Sequence, residues 1–175
     1  MTIRSFKGTS PTIHETAYID ETAVVIGDVT IGEDSSVWPM TVARGDVHSI
    51  KIGARTNIQD GCVLHVTHDG EFSPGGHPLA VGDDVTVGHR VTLHACTIGN
   101  QCLIGMSATI MDAAVLEDNV IVGAGSLVPT GKRLESGFLY VGSPVKRVRE
   151  LNEKELTFLE YSAKNYVKLK DEHIS

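Results

Sequence analysis

The sequence predicts an all-β solenoid, a parallel β-helix of about six coils closed by a C-terminal α-helix. Three observations carry that expectation. Aliphatic residues recur every six positions through most of the chain. Glycine repeatedly follows the leading aliphatic residue. From Leu151 onward the period changes to that of a helix.

The six-residue period opens at Ile13, Ile19, Val25, Ile31 and Val37, with Ala43 in phase. Four positions after each leader stands a small or β-branched residue: Ala17, Ala23, Val29, Ser35, Thr41 and Val47. The period resumes at Ile52, Ile58 and Leu64, and again at Val81, Val87 and Leu93. It then runs through Ile98, Ile104, Ile110, Leu116, Val122 and Val128, making eighteen hexads. Three short strands per coil form a triangular prism whose leaders stack into one core, which gives about six coils. A sandwich of short strands would show irregular spacing instead. In IGED, IGAR, VGDD, VGHR, IGNQ, IGMS and VGAG the glycine marks a corner that needs a positive φ or a close backbone approach.

Toward the C-terminus, Leu156, Leu159, Ala163, Tyr166 and Lys170 sit at helical spacing, and Asn152 with Glu155 supplies a capping-box-like start. This predicts an amphipathic helix over 152–171, packed along the prism wall. The chain accordingly divides into a β-helix unit, 1–150, and a helical unit, 151–175.

A chain of 175 residues with 41% hydrophobic content supports one well-buried domain with an appendage. The net charge of -7, with no basic tract and no aromatic platform for stacking bases, argues against nucleic acid. No apolar run approaches the ~18 residues of a membrane span. The opening MTIRSFKGTSP lacks a signal-peptide core, so a soluble, cytoplasmic protein is expected. Cys62, Cys96 and Cys102 form no CxxC pair, which suggests free thiols in a reducing compartment. Cys62 and Cys102 fall at small-residue positions and read as core. Cys96 lies in the one hexad that is a residue short, where redox sensitivity stays open.

His89 and His94 are five residues apart; on one strand they would point to opposite faces, about 16 Å apart. The repeat resolves the spacing. Ala43, Leu64 and Leu93 begin consecutive strands of one face, so His65 and His94, each one residue after its leader, stack about 4.8 Å apart. That is close enough for two ligands at about 2.0–2.1 Å from one metal ion. Arg44 occupies the same position one coil earlier, with Asp46 beyond it. His89 belongs to the neighbouring face, with Gln59 and Asp60 on the preceding coil. Two faces of one prism cannot converge outside it, but faces of two adjacent prisms can. A cyclic homotrimer with inter-subunit metal sites, His65 and His94 from one chain and His89 from the next, satisfies all three subunits. Three histidines leave a fourth tetrahedral position open, as in catalytic sites. His14, His48 and His173 have no such placement and are expected to face solvent.

These residues carry a resemblance beyond the repeat. RGD at Arg44 to Asp46, NIQDGCVLH at Asn57 to His65, VGHRVTLH at Val87 to His94 and GSPVKRVR at Gly142 to Arg149 resemble the γ-class carbonic anhydrase family, particularly its bacterial carbonic anhydrase-like branch. The likeness covers nearly the whole chain. It implies a left-handed solenoid of the hexapeptide-repeat superfamily and reversible hydration of CO2 to bicarbonate. A divalent metal lowers the pKa of bound water to about 7, so that hydroxide attacks at neutral pH. Zinc (Zn2+) suits three imidazoles, and Fe2+ or Co2+ is also accepted. By the same resemblance, Gln59 orients water or substrate and Arg44 forms an inter-subunit ion pair with Asp60, with Asp46 in the network. Tyr166 lies where some relatives place a tyrosine near the metal.

One departure stands out. Active members of the class carry glutamates as proton shuttles, whereas here Val47 follows Asp46. The Gly/Pro-rich segment Val66 to Ala80 offers His68, Glu71 and His77 as substitutes. Two alternatives stay open: an acyltransferase or thioesterase acting on acyl-CoA, prompted by the basic cluster Lys146, Arg147 and Arg149, and a noncatalytic metal-stabilised trimeric scaffold.

Overall fold

The computed structural model describes residues 2–174; the outer bounds of the two expected units, Met1 and Ser175, lie outside them. Short strands wind as parallel coils, and the hexad leaders stack in register on three faces. One face stacks Ile3, Val25, Ala43, Leu64, Leu93, Ile110 and Val128. The second stacks Ile13, Ile31, Ile52, Val81, Ile98, Leu116 and Leu134. The third stacks Ile19, Val37, Ile58, Val87, Ile104, Val122 and Tyr140. Ile3 extends the stack before the first hexad, and Leu134 and Tyr140 extend it after the last, so the solenoid is longer than the coils legible in the sequence. The leaders from Val25 to Leu134 are buried in one continuous core, while Ile13 and Ile19 pack against it half-buried.

The corners divide their work between two positions. Positive φ falls on the third residue after the leader: Asp34 (54°), Arg55 (52°), Asp84 (57°), Arg90 (59°), Gln101 (52°), Ser107 (59°) and Asn119 (57°). In the short hexad led by Leu93 it falls one residue earlier, on Ala95 (47°). The glycine after the leader meets a different need, the close approach of adjacent coils. A Cβ on Gly53 would lie 2.6 Å from the Gly82 carbonyl oxygen, and one on Gly99 would lie 2.7 Å from the Asp118 amide nitrogen. The small polar residues four positions after a leader tie coils together: Ser35, Thr41 and Thr56 donate to the carbonyls of Gly53 (2.6 Å), Gln59 (2.8 Å) and Gly82 (2.7 Å). Val47 is exposed, because the insertion between Ala43 and Ile52 begins there.

The strand Phe138–Gly142 pairs antiparallel with Val145–Glu150, which covers the last edge of the third face. The helix, Glu153–Ile174, then runs back along that face against the strands Ser36–Val37, Asn57–Ile58 and Thr86–Val87. Its capping box is reciprocal: the Glu155 amide donates to Asn152 Oδ1 and the Asn152 amide to Glu155 Oε2, both at 3.0 Å. Leu159 and Ala163 are buried as the spacing predicts, and Lys170 is buried against Asp34 (3.2 Å). Leu156, expected on the same face, is exposed, one turn in from the cap. Trp38 anchors the far end, packed against Tyr166 and His173 at centroid distances of 5.7 and 5.1 Å. His173 is exposed, as expected, while one side of its ring rests against Trp38.

Candidate metal centre

His65 ends the strand Val63–His65, and His94 ends Thr92–His94; the two residues are register partners on adjacent coils. Their leaders Leu64 and Leu93 point into the core, and the alternation of a strand therefore turns both imidazoles outward. His65 Nδ1 lies 3.2 Å from His94 Nε2. Each ring holds a carboxylate with its other nitrogen: His65 Nε2 is 3.0 Å from Asp46 Oδ1, and His94 Nδ1 is 2.7 Å from Asp112 Oδ1. A nitrogen facing an ionised carboxylate carries the proton. The hydrogen-bond pattern therefore assigns both tautomers and leaves two lone pairs facing each other, which is repulsive unless a proton or a cation lies between them. Two nitrogens at 2.0–2.1 Å from a tetrahedral ion stand about 3.3 Å apart. The donors present fit such an ion.

The carboxylates are themselves held ionised. Burial raises the Asp46 pKa, but hydrogen bonds from Arg44 and His65 outweigh it and the group lies below its ordinary value. Asp112 follows the same pattern: burial opposes ionisation, while hydrogen bonds from Thr67 and His94 prevail. Metal-binding histidines are commonly oriented by such partners. Arg44 pairs with Asp46 within the chain.

His89 lies on the neighbouring face, and its Nδ1 is 2.8 Å from Asp60 Oδ2, a third imidazole–carboxylate pair. It does not join His65 and His94. Among the described residues of one chain, no three His, Cys, Asp or Glu side chains are grouped to hold an ion. Asp60 meets His89 through Oδ2, and inside one chain Arg44 pairs with Asp46; the Arg44–Asp60 pair implied by the resemblance is one between subunits. Gln59 is buried and donates from Nε2 to Asn57 Oδ1 (3.1 Å); Asn57 in turn donates to Thr86 Oγ1 (3.1 Å). Gln59, His89 and Tyr166 line one cleft between the third face and the helix, with Leu103, Met106 and Phe158 as its apolar wall. Burial, then the charge of Asp60, raises the Tyr166 pKa above its ordinary value.

His68, Glu71 and His77 line a second cleft together with Thr67, Ser73 and Asp112. Asp112 escaped the sequence reading. The signal lies in the repeat: Asp112 stands two residues after Ile110, the leader one coil beyond Leu93 on the same face. The cysteines are all free and buried, and burial pushes the Cys62 and Cys102 thiols up to about 12 and the Cys96 thiol higher still. Thiols so disfavoured as thiolates are poor redox sensors. In the basic cluster, Arg147 pairs with Glu135 and Arg149 with Glu155, each at 2.7 Å.

Comparison with known proteins settles the lineage. Protein YrdA of Escherichia coli is 56% identical over 172 residues, covering 98% of this chain and 94% of the relative. Gamma carbonic anhydrase 2, mitochondrial, of Arabidopsis thaliana is 40% identical over 166 residues, covering 95% of this chain. The chain belongs to the γ-carbonic anhydrase-like branch of the hexapeptide-repeat superfamily. The Bacterial transferase hexapeptide (six repeats) family matches residues 95–130, a stretch inside the uninterrupted run of hexads. The chain spans 59% of the Arabidopsis protein. A crystal structure of a hexapeptide transferase family protein from Anaplasma phagocytophilum superposes with a TM-score of 0.90 at 42% identity, covering 97% of this chain and 96% of that one. Among the described residues no helix is long and apolar enough to cross a membrane.

Proposed function

We propose that the protein is a metal-dependent γ-class carbonic anhydrase-like enzyme, hydrating CO2 reversibly to bicarbonate at sites shared between the subunits of a homotrimer. The observation that carries the reading is the pair of imidazole nitrogens, His65 Nδ1 and His94 Nε2, 3.2 Å apart while the other nitrogen of each ring faces a carboxylate. His89 is prepared in the same way by Asp60, which leaves Nε2 as the third donor. The relative named a gamma carbonic anhydrase supports the reaction class. Zinc suits three imidazole ligands, and Fe2+ or Co2+ is accepted by the same set. When bound, the ion supplies Lewis acidity that makes water a nucleophile near neutral pH.

The chain's own residues do the positioning. Asp46 and Asp112 fix the tautomers of His65 and His94. Gln59, its amide oriented through Asn57 and Thr86, offers its carbonyl oxygen and second N–H to water or substrate. Tyr166 shares its cleft as a neutral phenol. Asp60 keeps one carboxylate oxygen for Arg44 of an adjacent subunit.

Stopped-flow CO2 hydration tests the reading, with protein loaded separately with zinc and, anaerobically, with iron, and with metal counted in every sample. Turnover that is lost in His89→Ala is the expected result. Fully metallated wild-type protein without turnover would overturn the enzymatic reading and favour the scaffold. Acyl-CoA turnover by metal-free protein would favour a transferase, a reading that the transferase name of the Anaplasma protein also suggests; the ion pairs of Arg147 and Arg149 already engage two members of the basic cluster that prompted it.

A further inference from the structure

We infer that Asp112 is a positioning residue that makes the Val66–Ala80 insertion a working part of the metal centre, so that metal loading and the state of this loop are coupled. The inference rests on the metal reading above and deepens it. Asp112 uses both carboxylate oxygens: Oδ1 accepts from His94 Nδ1 at 2.7 Å, and Oδ2 accepts from Thr67 Oγ1. One residue thus links a candidate ligand to a loop residue 45 positions upstream. The backbone of Asp112 is fixed independently, since the Met111 amide donates to Val128 (3.0 Å) and the Ala113 amide to Ala95 (2.8 Å). Neither partner can shift without the carboxylate yielding to the other.

The loop is built to feel that link. Its neck is a pair of reciprocal backbone hydrogen bonds between Thr67 and His77 (3.1 and 2.9 Å), and its tip is braced by Gly70 with Ser73 and by Asp69 Oδ1 accepting from the Gly75 amide (2.7 Å). Thr67 therefore belongs both to the neck and to the carboxylate. Ser73 Oγ is buried in the cleft that the loop forms over Asp112 and meets no hydrogen-bond partner among the described residues, and Phe72 at the tip is 97% exposed. A loop tied to the solenoid only at its neck, with its internal braces confined to its own tip, is only partly held in place by its own contacts. The Thr67–Asp112 bond adds a connection that depends on where His94 holds the carboxylate.

The test uses the full-length protein and Co2+ as a visible probe, with affinity read by absorbance titration and hydrogen exchange followed across residues 66–80. Wild type should bind Co2+, and exchange in the loop should slow on loading. Asp112→Ala should bind Co2+ about 10–100-fold more weakly and lose the loop response. Asp112→Asn keeps an acceptor for His94 and a partner for Thr67, and should recover both. Thr67→Val should keep affinity within a few-fold while losing the metal-dependent protection. Wild-type protein that binds no Co2+ overturns the metal reading itself. Binding with a loop indifferent to the metal, or Asp112→Ala with undiminished affinity, overturns this inference alone.

Discussion

Two defective proteins mixed together should rebuild a site that neither can form. In the proposed trimer each site takes His65 and His94 from one chain and His89 from the next. Within one chain, His94 meets His65 across 3.2 Å while His89 is occupied by Asp60 on another face. His94→Ala and His89→Ala each break every site of a homogeneous trimer. After co-unfolding at equal concentration and refolding, a site is whole only where the chain giving the pair carries His89→Ala and the chain giving the third ligand carries His94→Ala. With random assortment around a closed ring, this happens at about one interface in four. Metal per chain, measured after gel filtration in metal-free buffer, should rise from near zero in each parent to about a quarter of the wild-type value. CO2 hydration should follow the metal. A mixture that equals the mean of its parents would refute the shared site, because ligands drawn from a single chain cannot be complemented by mixing.

Two further outcomes follow from the fold. Leu93, fully buried between Leu64 and Ile110 in the stack, should lose about 2–5 kcal/mol as Leu93→Ala, read as a lower urea midpoint at fixed protein concentration; a loss below about 1 kcal/mol would show that the coils close over the gap. Glu155 is drawn down from 4.5 to about 2 by Arg149 and then by the Asn152 amide, so its contribution is complete above the ordinary value and fades as pH falls toward 2. The thermal midpoint of Glu155→Gln should therefore lie below wild type at neutral pH and converge with it toward pH 2, and a pH-independent gap would contradict the assignment.

The repeat was legible because each hexad obeys the same steric rule, and a column of identical environments repeats its demand in the sequence. That rule placed His65 opposite His94 before any coordinates, and it placed Asp60 beside His89. It could not place the left-handed backbone positions, since Asp34, Arg55, Gln101 and Ser107 share no side-chain type; their conformation is imposed by the corner and not advertised by glycine. The glycines instead mark where neighbouring coils touch. The Val66–Ala80 loop lies outside the repeat, so nothing periodic fixes its shape. Its link to Asp112 depends on a contact across 45 residues that only the folded chain reveals. Leu156 fits the helical period yet stays exposed, at the edge of an open cleft that it lines with Gln101, Asn119 and Gly137 of the solenoid.

The same geometry gives the physical reason for the proposal that a second chain finishes the site. In the column one residue after each leader stand Arg44, His65, His94 and Met111, so the histidine pair is bounded by a cation on one coil and a thioether on the other. Coils repeat at about 4.8 Å, and a residue two coils away would start about 9.6 Å off, too far to share an ion with the pair. Side chains on the other faces diverge from this column by the angle of the prism. A third ligand must then come from an inserted loop or from another molecule. The one long insertion beside the pair sends Thr67 to Asp112, where it buttresses His94, and among the described residues no third His, Cys, Asp or Glu groups with the pair to hold an ion. What remains is an outward-facing imidazole already polarised by a carboxylate, and His89 with Asp60 is that group.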